Sequence, residues 1–160
     1  MNASAFNRHL TRKLCWIDGS PTHVSSAKQR QCTRCRRKWS YDGLIKQWLL
    51  AQEFCAGHSR REAAVAAGVD VHTAGRHYAD FQLALAGYVR RLLAEGMAWR
   101  LGDAEKFHRL FRMGLANSSP RQRRRLAAQI CFDGLGARKR LDLLCELVFA
   151  EKLRLLTVSK

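Results

Sequence analysis

Two cysteines separated by two residues, Cys32 and Cys35, carry the clearest chemical signal in the chain. In a Cys-x2-Cys turn two thiolates reach one metal ion, and the backbone amides of the turn stabilise the sulfur atoms. A structural zinc ion takes four protein ligands, so two further donors are needed. Cys15 lies upstream, where a first ligand turn is expected, and we predict it as the third ligand.

The spacing leaves the fourth ligand open. Arg12 and Asp18 hold the two positions at which a second cysteine would pair with Cys15. His9, Asp18 and His23 are the donors available nearby, and His23 is our candidate. The alternative to a zinc site is a degenerate segment that keeps the cysteine pair but has lost its metal.

The other three cysteines are predicted to be core residues. Cys55 and His58 have two-residue ligand spacing, but Cys55 fits the buried face of a helix that ends at Gly57. Cys131 and Cys145 lie in apolar helical segments. A free cysteine behaves as a small hydrophobic residue when it is buried, so packing explains all three.

Charge is the second signal. The 160 residues include 29 Lys and Arg against 13 Asp and Glu, which gives a formal net charge of +16. Such a surplus repels itself unless a polyanion neutralises it, and nucleic acid is the commonest polyanion. The run that surrounds the second cysteine is predicted to contact phosphates without reading sequence, although alone it is also compatible with a solvated loop: Arg34, Arg36, Arg37 and Lys38.

Composition excludes several classes of protein. Because 47% of the residues are hydrophobic, the chain can bury a core, and a disordered tail is not expected. No apolar run approaches the ~20 residues of a membrane span, and the first residues do not have the pattern of a signal peptide. We therefore expect a cytoplasmic protein with no membrane partner.

A short Ala-rich helix that runs to Gly68 and a second helix from Val71 to roughly Ala86, with a tight turn between them, are predicted in the middle of the chain. Ser59 and Glu62 have the spacing of a capping box, and Asp70 caps the second helix. This order is typical of a helix-turn-helix motif. The positions predicted to face inward or to form the turn are Ala64, Gly68, Val69, Ala74 and Tyr78.

The outward face of the second helix supplies the candidate DNA-reading residues. They are Val71, His72, Thr73, Arg76 and His77, with Arg60 at the start of the first helix as a further contact. Residues at the start of a recognition helix reach base edges in the major groove, where arginine favours guanine. His72 and His77 lie off one helical face, so we predict surface or phosphate contacts rather than metal ligands. The alternative is an Ala-rich helical hairpin that only packs in a bundle.

The segment from Lys28 to Ser40 resembles the second half of the zinc ribbon at the front of many bacterial insertion-sequence transposases and of the small DNA-binding repressor proteins of these elements. The chain after Ser40 also resembles them, with its features in the same order: a helix, Gly57-His58-Ser59, Arg61-Glu62-Ala63-Ala64, then Gly68 to Tyr78. The resemblance covers roughly residues 9 to 80 and lacks the first Cys-x2-Cys pair. It implies zinc, double-stranded DNA as the partner and a location at the bacterial nucleoid.

The C-terminal half is predicted to form four helices, Leu85 to Leu101, Asp103 to Ala116, Pro120 to Phe132 and Ala137 to Leu156. The last one is unusually apolar, with Leu141, Leu144, Leu147, Val148 and Leu155. A helix with one face exposed to solvent cannot bury all of these apolar side chains. The helix is therefore either the centre of the bundle or a homodimer interface, and we favour the homodimer because paired reading heads raise specificity.

The predicted fold class is mainly α. A small zinc-ribbon-like β segment over residues 1–42 precedes a helix-turn-helix over 43–84, and a helical bundle for dimerisation or partner binding fills 85–160. Nothing after residue 80 predicts the β-sheet of a transposase nuclease, so we expect no enzyme activity. The predicted function is a non-catalytic DNA-binding regulator or the DNA-binding component of a mobile-element system; the alternative is an RNA-binding or assembly subunit.

Overall fold

The computed structural model describes residues 3–15, 17–97 and 119–150. Its elements are α1 (Ala3–Thr11), β1 (Thr22–Ser26), β2 (Gln29–Cys32), β3 (Lys38–Trp39), α2 (Tyr41–Ala56), α3 (Arg60–Ala67), α4 (Val71–Ala94), α5 (Pro120–Phe132) and α6 (Ala137–Leu144), which continues as a π-helical segment Cys145–Ala150. The chain is mainly helical with a small β segment near its N-terminus, so the predicted fold class is confirmed.

The three strands form one antiparallel sheet in the order β1-β2-β3. In its register Thr22 pairs with Cys32, and Gln31 pairs with Lys38. The sheet is small, and β1 is interrupted by a register shift between Val24 and Ser26. Strands this short cannot bury an apolar layer of their own, so another source of order is needed around the cysteines.

Helix α1 was not expected, because the sequence before Asp42 shows no sustained helical stripe. Its buried residues are Ala3, Phe6 and Leu10, and a nine-residue helix offers too few positions to reveal a period. Phe6 is fully buried, with its ring centroid 4.9 Å from that of Trp48 and 4.6 Å from that of Phe149. Contacts with residues distant in the chain therefore hold α1 in place.

Local capping signals set the start of the central helices. The Ser59 side chain accepts from the Glu62 N–H while the Glu62 carboxylate accepts from the Ser59 N–H, which completes the predicted capping box. The Asp70 carboxylate caps α4 by accepting from the Thr73 N–H at 2.8 Å. Between the two helices, Gly68 takes a left-handed conformation with φ of +60°, which suits glycine because it has no Cβ.

Helix α4 corrects one expectation. Two helices were predicted to meet near residues 85 and 86, but one helix runs without a break from Val71 to Ala94. Its buried side chains continue at helical spacing through the predicted junction: Ala74, Tyr78, Phe81, Leu85, Val89 and Leu92. The boundary predicted between residues 84 and 85 thus lies inside a helix, and the helices on both sides of it share one core.

The C-terminal helices pack on this long helix. Helix α5 has the predicted bounds, begins at a Ser119 cap and lies against α4. The helix predicted over 103–116 lies outside the described residues, as does Leu155. In the last segment Leu144, Leu147 and Val148 are buried by the chain itself. This apolar face therefore needs no second copy of the chain to cover it, and the homodimer stays a prediction.

Candidate metal centre and candidate nucleic-acid interface

Four potential metal ligands converge beside the sheet. Donor atoms of Cys15, Asp18, Cys32 and Cys35 all lie within 4.8 Å of one another. The Cys15 and Cys35 sulfur atoms are 3.8 Å apart, and each carboxylate oxygen of Asp18 is 3.7 Å from the Cys32 sulfur. A disulfide requires sulfur atoms about 2.05 Å apart, so these are free thiols. The cluster could hold a metal ion.

The two ligand turns have the same form. In the second turn the N–H groups of Arg34 and Cys35 each donate to the Cys32 sulfur at 3.3 Å. In the first turn the backbone amides of Asp18 and Ile17 act to lower the pKa of the Cys15 thiol. Each turn thus places backbone amides near one cysteine and offers a second potential ligand three residues later.

A left-handed residue ends each turn. Gly19 has φ of +70° and Arg36 has φ of +60°, and both directly follow the second ligand of their turn. This conformation reverses the chain, so that the Cys32 N–H can donate to the Arg37 carbonyl at 2.9 Å and the Cys15 N–H to the Ser20 carbonyl at 2.8 Å. The conformation costs little at Gly19 and more at Arg36, where the side chain has a Cβ.

Burial and hydrogen bonds shift the pKa values of the potential ligands in opposite directions. Burial raises the pKa of the Cys15 thiol above its usual range, despite the amide donors. Burial also acts to raise the pKa of Cys32, but the N–H groups of Cys35 and Arg34 outweigh it, so that the pKa is lowered. For Asp18, burial is again outweighed, chiefly by the Ser20 N–H, which donates to the carboxylate at 2.9 Å and lowers its pKa. Two of the four ligands thus favour their metal-binding, ionised form.

Asp18, rather than His23, completes the cluster. His23 lies exposed in β1, opposite Gln31, and is outside the group of converging donors. The sequence contained the necessary signal, because Cys15 and Asp18 have the same spacing as Cys32 and Cys35. Asp18 followed by Gly19 parallels Cys35 followed by Arg36, the left-handed residue of the second turn.

The basic run lies on the second ligand turn and the strand after it. Arg34, Arg36 and Lys38 are exposed, and Arg37 is half-buried. The side chain of Gln31 donates to the Arg36 carbonyl at 2.7 Å, which fixes the backbone of the turn. Any metal held by the cluster would therefore also position these cations.

The predicted inward and outward faces of α4 are present. Ala74 and Tyr78 are buried, whereas Val71, His72 and Arg76 are exposed and Thr73 and His77 are half-buried. The Thr73 hydroxyl donates to the Asp70 carboxylate at 2.6 Å and accepts from an Arg76 guanidinium N–H at 3.3 Å. Thr73 therefore orients Arg76 and completes the cap.

Arg60 extends this surface from the neighbouring helix. A Cβ on Gly75 would lie 3.4 Å from Nη1 and 3.6 Å from Cδ of Arg60, which is ordinary van der Waals contact, so the arginine side chain lies beside α4 at this position. Arg60 and Arg76 are both exposed. Two exposed cations from different helices therefore lie near the start of α4.

The remaining cysteines are structural. Cys55, Cys131 and Cys145 are buried in the helical core, and burial raises the pKa of their thiols to about 12, 12 and 11. Within residues 3–15, 17–97 and 119–150, the only group of metal-binding side chains that converges is the one at Cys15. No described helix has the length and apolar character needed to cross a bilayer.

Comparison with known proteins gives no relative. No family model matches the chain, and neither the curated proteins nor the solved structures contain a match.

Proposed function

We propose that this protein binds double-stranded DNA through a helix-turn-helix motif formed by α3 and α4, and acts as a regulator or as the DNA-binding part of a mobile-element system. Catalysis is not part of the proposal. The observation that carries it is the outer surface of α4, where His72 and Arg76 are exposed near the start of a capped helix, with Arg60 of α3 beside it. Side chains at this position of a second helix can reach base edges.

Charge and packing support this proposal together. The Thr73 hydroxyl holds one side of the Arg76 guanidinium, which limits the rotamer freedom that binding would have to remove. Arginine donates two parallel hydrogen bonds to the O6 and N7 of guanine, the commonest specific contact in the major groove. A formal net charge of +16 supplies the phosphate attraction that brings such a helix to a duplex.

We further propose that Cys15, Asp18, Cys32 and Cys35 hold a structural zinc ion. With Zn–S bonds of about 2.3 Å and Zn–O bonds near 2.1 Å, tetrahedral geometry separates two sulfur ligands by about 3.8 Å and a sulfur from an oxygen by about 3.6 Å. The observed separations are 3.8 Å for Cys15 and Cys35, and 3.7 Å for Cys32 and Asp18. The zinc would fix the basic turn that contains Arg34 and Arg36.

The test of DNA reading is selection from a randomised duplex pool, in competition with structured RNA, at physiological salt. We expect an enriched duplex motif. The variant Arg76→Ala should lose about 1–3 kcal/mol of discrimination at one base pair while its binding to random duplex stays nearly unchanged. Arg61→Ala is the matched control, because Arg61 is exposed on α3 and its removal deletes the same charge.

Two results would overturn the proposal. One is retention of RNA in place of duplex DNA, or of DNA without any motif. The other is a motif that Arg76→Ala leaves unchanged. Thr73→Ala is unsuitable as the first variant, because it removes a hydrogen bond to the Asp70 cap as well as the contact to Arg76.

A further inference from the structure

A groove between α4 and α5 lies far from the start of α4. It is lined by Leu83, Ala86 and Arg90 from α4, and by Pro120, Arg123, Arg124 and Ala127 from α5, and its volume is about 500 Å³. The described lining residues include three arginines and no carboxylate. Arg90 and Arg123 are exposed, Arg124 is half-buried, and Leu83 is 49% exposed.

The groove opens on the same face of α4 as the proposed DNA-reading residues. Arg76, Leu83 and Arg90 follow one another at intervals of seven residues, and each such interval rotates a helical position by only about 20°. At a rise of 1.5 Å per residue, the α-carbons of Arg76 and Arg90 lie about 21 Å apart along α4. A continuous surface therefore runs from the start of the helix to the arginine groove.

We infer that this groove binds the phosphodiester backbone of the DNA that the start of α4 reads. The inference deepens the proposed function and rests on it. The major groove of B-DNA is about 12 Å wide. If the first turns of the helix lie in the groove, residues about 21 Å further along the helix extend beyond its edge and reach the flanking phosphodiester backbone. Guanidinium groups match the oxygen pairs of phosphates, and the apolar side chains of Leu83, Ala86 and Ala127 offer a surface for the sugars.

The site contributes affinity without sequence preference. Each phosphate neutralised on B-DNA adds about 0.9 to the slope of log K against log salt. Between 1 M and 0.15 M salt this amounts to about a fivefold gain per contact, and to roughly a hundredfold for three contacts. Both the slope and the affinity can be measured with any duplex.

The experiment compares two triple variants of the full chain. The groove variant is Arg90→Gln, Arg123→Gln, Arg124→Gln, which keeps polar side chains of moderate length. The matched control is Arg8→Gln, Arg138→Gln, Lys139→Gln, which removes three exposed charges from α1 and α6. Binding to the selected duplex and to a random duplex is measured by anisotropy between 0.1 and 0.4 M salt, with circular dichroism as the check of folding.

We expect the groove variant to lose roughly a hundredfold in affinity at 0.15 M salt and about 2–3 in slope, equally on both duplexes, with an unchanged motif. The control should lose less than tenfold. A variant with lysine at the three groove positions should retain the slope, because it retains the charges, and it serves as the reference if the glutamine variant folds poorly. In that case the affinity of the lysine variant is compared with that of each single glutamine variant. Arg90→Gln alone should lower the affinity for duplex about fivefold.

Equal losses in the groove and control variants would overturn the inference, because they would show that only net charge matters. A groove variant that changes the motif would overturn it as well, since backbone contacts carry no base information. Failure of the proposed function has a different outcome: the unmodified protein then selects no duplex motif at all. A groove that prefers an acidic peptide or single-stranded RNA to a random duplex is a third result, and it too contradicts the inference.

Discussion

Removal of the proposed zinc ion is expected to unfold the β segment while the helices stay folded. Among the described residues between α1 and α2, the buried apolar side chains are those of Cys15 and Cys32, and neither belongs to the core that the helices share. Ordering the backbone of one residue costs about 1–2 kcal/mol. Ile17 and Trp39 are only partly buried where they pack against the helical core. We therefore expect the order of this segment of about 30 residues to depend mainly on bonds to the proposed metal ion.

Backbone amides inside the segment give the size of the effect. The Cys32 N–H donates to the Arg37 carbonyl at 2.9 Å, and the Thr33 N–H donates to the Pro21 carbonyl at 3.1 Å. With metal bound, these bonds open only through metal release or global unfolding, at a cost of about 5 kcal/mol or more; without it, opening costs near zero. Because 1.4 kcal/mol corresponds to a factor of ten, exchange should accelerate at least about a thousandfold.

The assay is amide hydrogen exchange followed by NMR, with and without a chelator, and with zinc measured by elemental analysis. Cys32→Ser should reproduce the effect of chelation. Cys131→Ser, at a buried thiol outside the cluster, should leave both zinc content and exchange in the β segment unchanged. If amides of Cys32 and Thr33 stay protected in metal-free protein, the reasoning is refuted, because the segment would then be stable without its ligand cluster.

Three further predictions concern the helices. Phe6→Ala should lower the free energy of unfolding by about 3–5 kcal/mol in urea denaturation, because Phe6 is fully buried against Trp48 and Phe149; a loss below about 1 kcal/mol would mean that α1 does not pack there. Hydrogen bonds from the Thr73 hydroxyl and N–H hold the pKa of Asp70 below its usual 3.8. This cap therefore stabilises the fold above the unfolded pKa of Asp70 and loses its effect as the pH falls through the folded pKa. In the variant Asp70→Asn, the thermal unfolding midpoint should depend less steeply on pH below about pH 4. A pH dependence equal to that of the unmodified protein would contradict this. Asp80→Asn should raise affinity for all duplexes alike in a binding titration, because Asp80 is exposed one turn beyond Arg76 and repels phosphates; a sequence-dependent change would argue against it.

Local signals allowed most of the helix starts to be predicted. Ser59, Asp70 and Ser119 cap their helices with side-chain oxygens, and each bond joins residues only three apart. Such interactions depend on neighbours in the sequence and so can be read from it. The inward positions of Ala74 and Tyr78 follow from helical period in the same way.

Features that depend on distant contacts could not be predicted. Helix α1 is held by Phe149 and by the Asp142 carboxylate, which accepts from the Ala3 N–H at 2.8 Å, and neither contact leaves a trace near residue 3 of the sequence. The spacing of Cys15 and Asp18 favours Asp18, but the exclusion of His23 is spatial, because His23 lies exposed in β1 opposite Gln31 and outside the group of converging donors. Aspartate and histidine are both ordinary metal ligands, so chemistry alone does not decide between them.

Two different structural elements position the cations that we propose to bind DNA. Arg34 and Arg36 lie on the turn that carries Cys32 and Cys35, two of the proposed metal ligands, whereas Arg76 belongs to a helix whose buried face lies in the shared core. Strand β3 leads through the Ser40 cap into α2, the Tyr41 hydroxyl donates to the Leu14 carbonyl, and Ile17 and Trp39 pack against the helical core. These contacts form the junction between the two parts. Chelation should therefore reduce affinity through the basic turn and leave the base preference of α4 intact. A chelated protein that loses its motif would mean instead that the metal supports the reading surface through this junction.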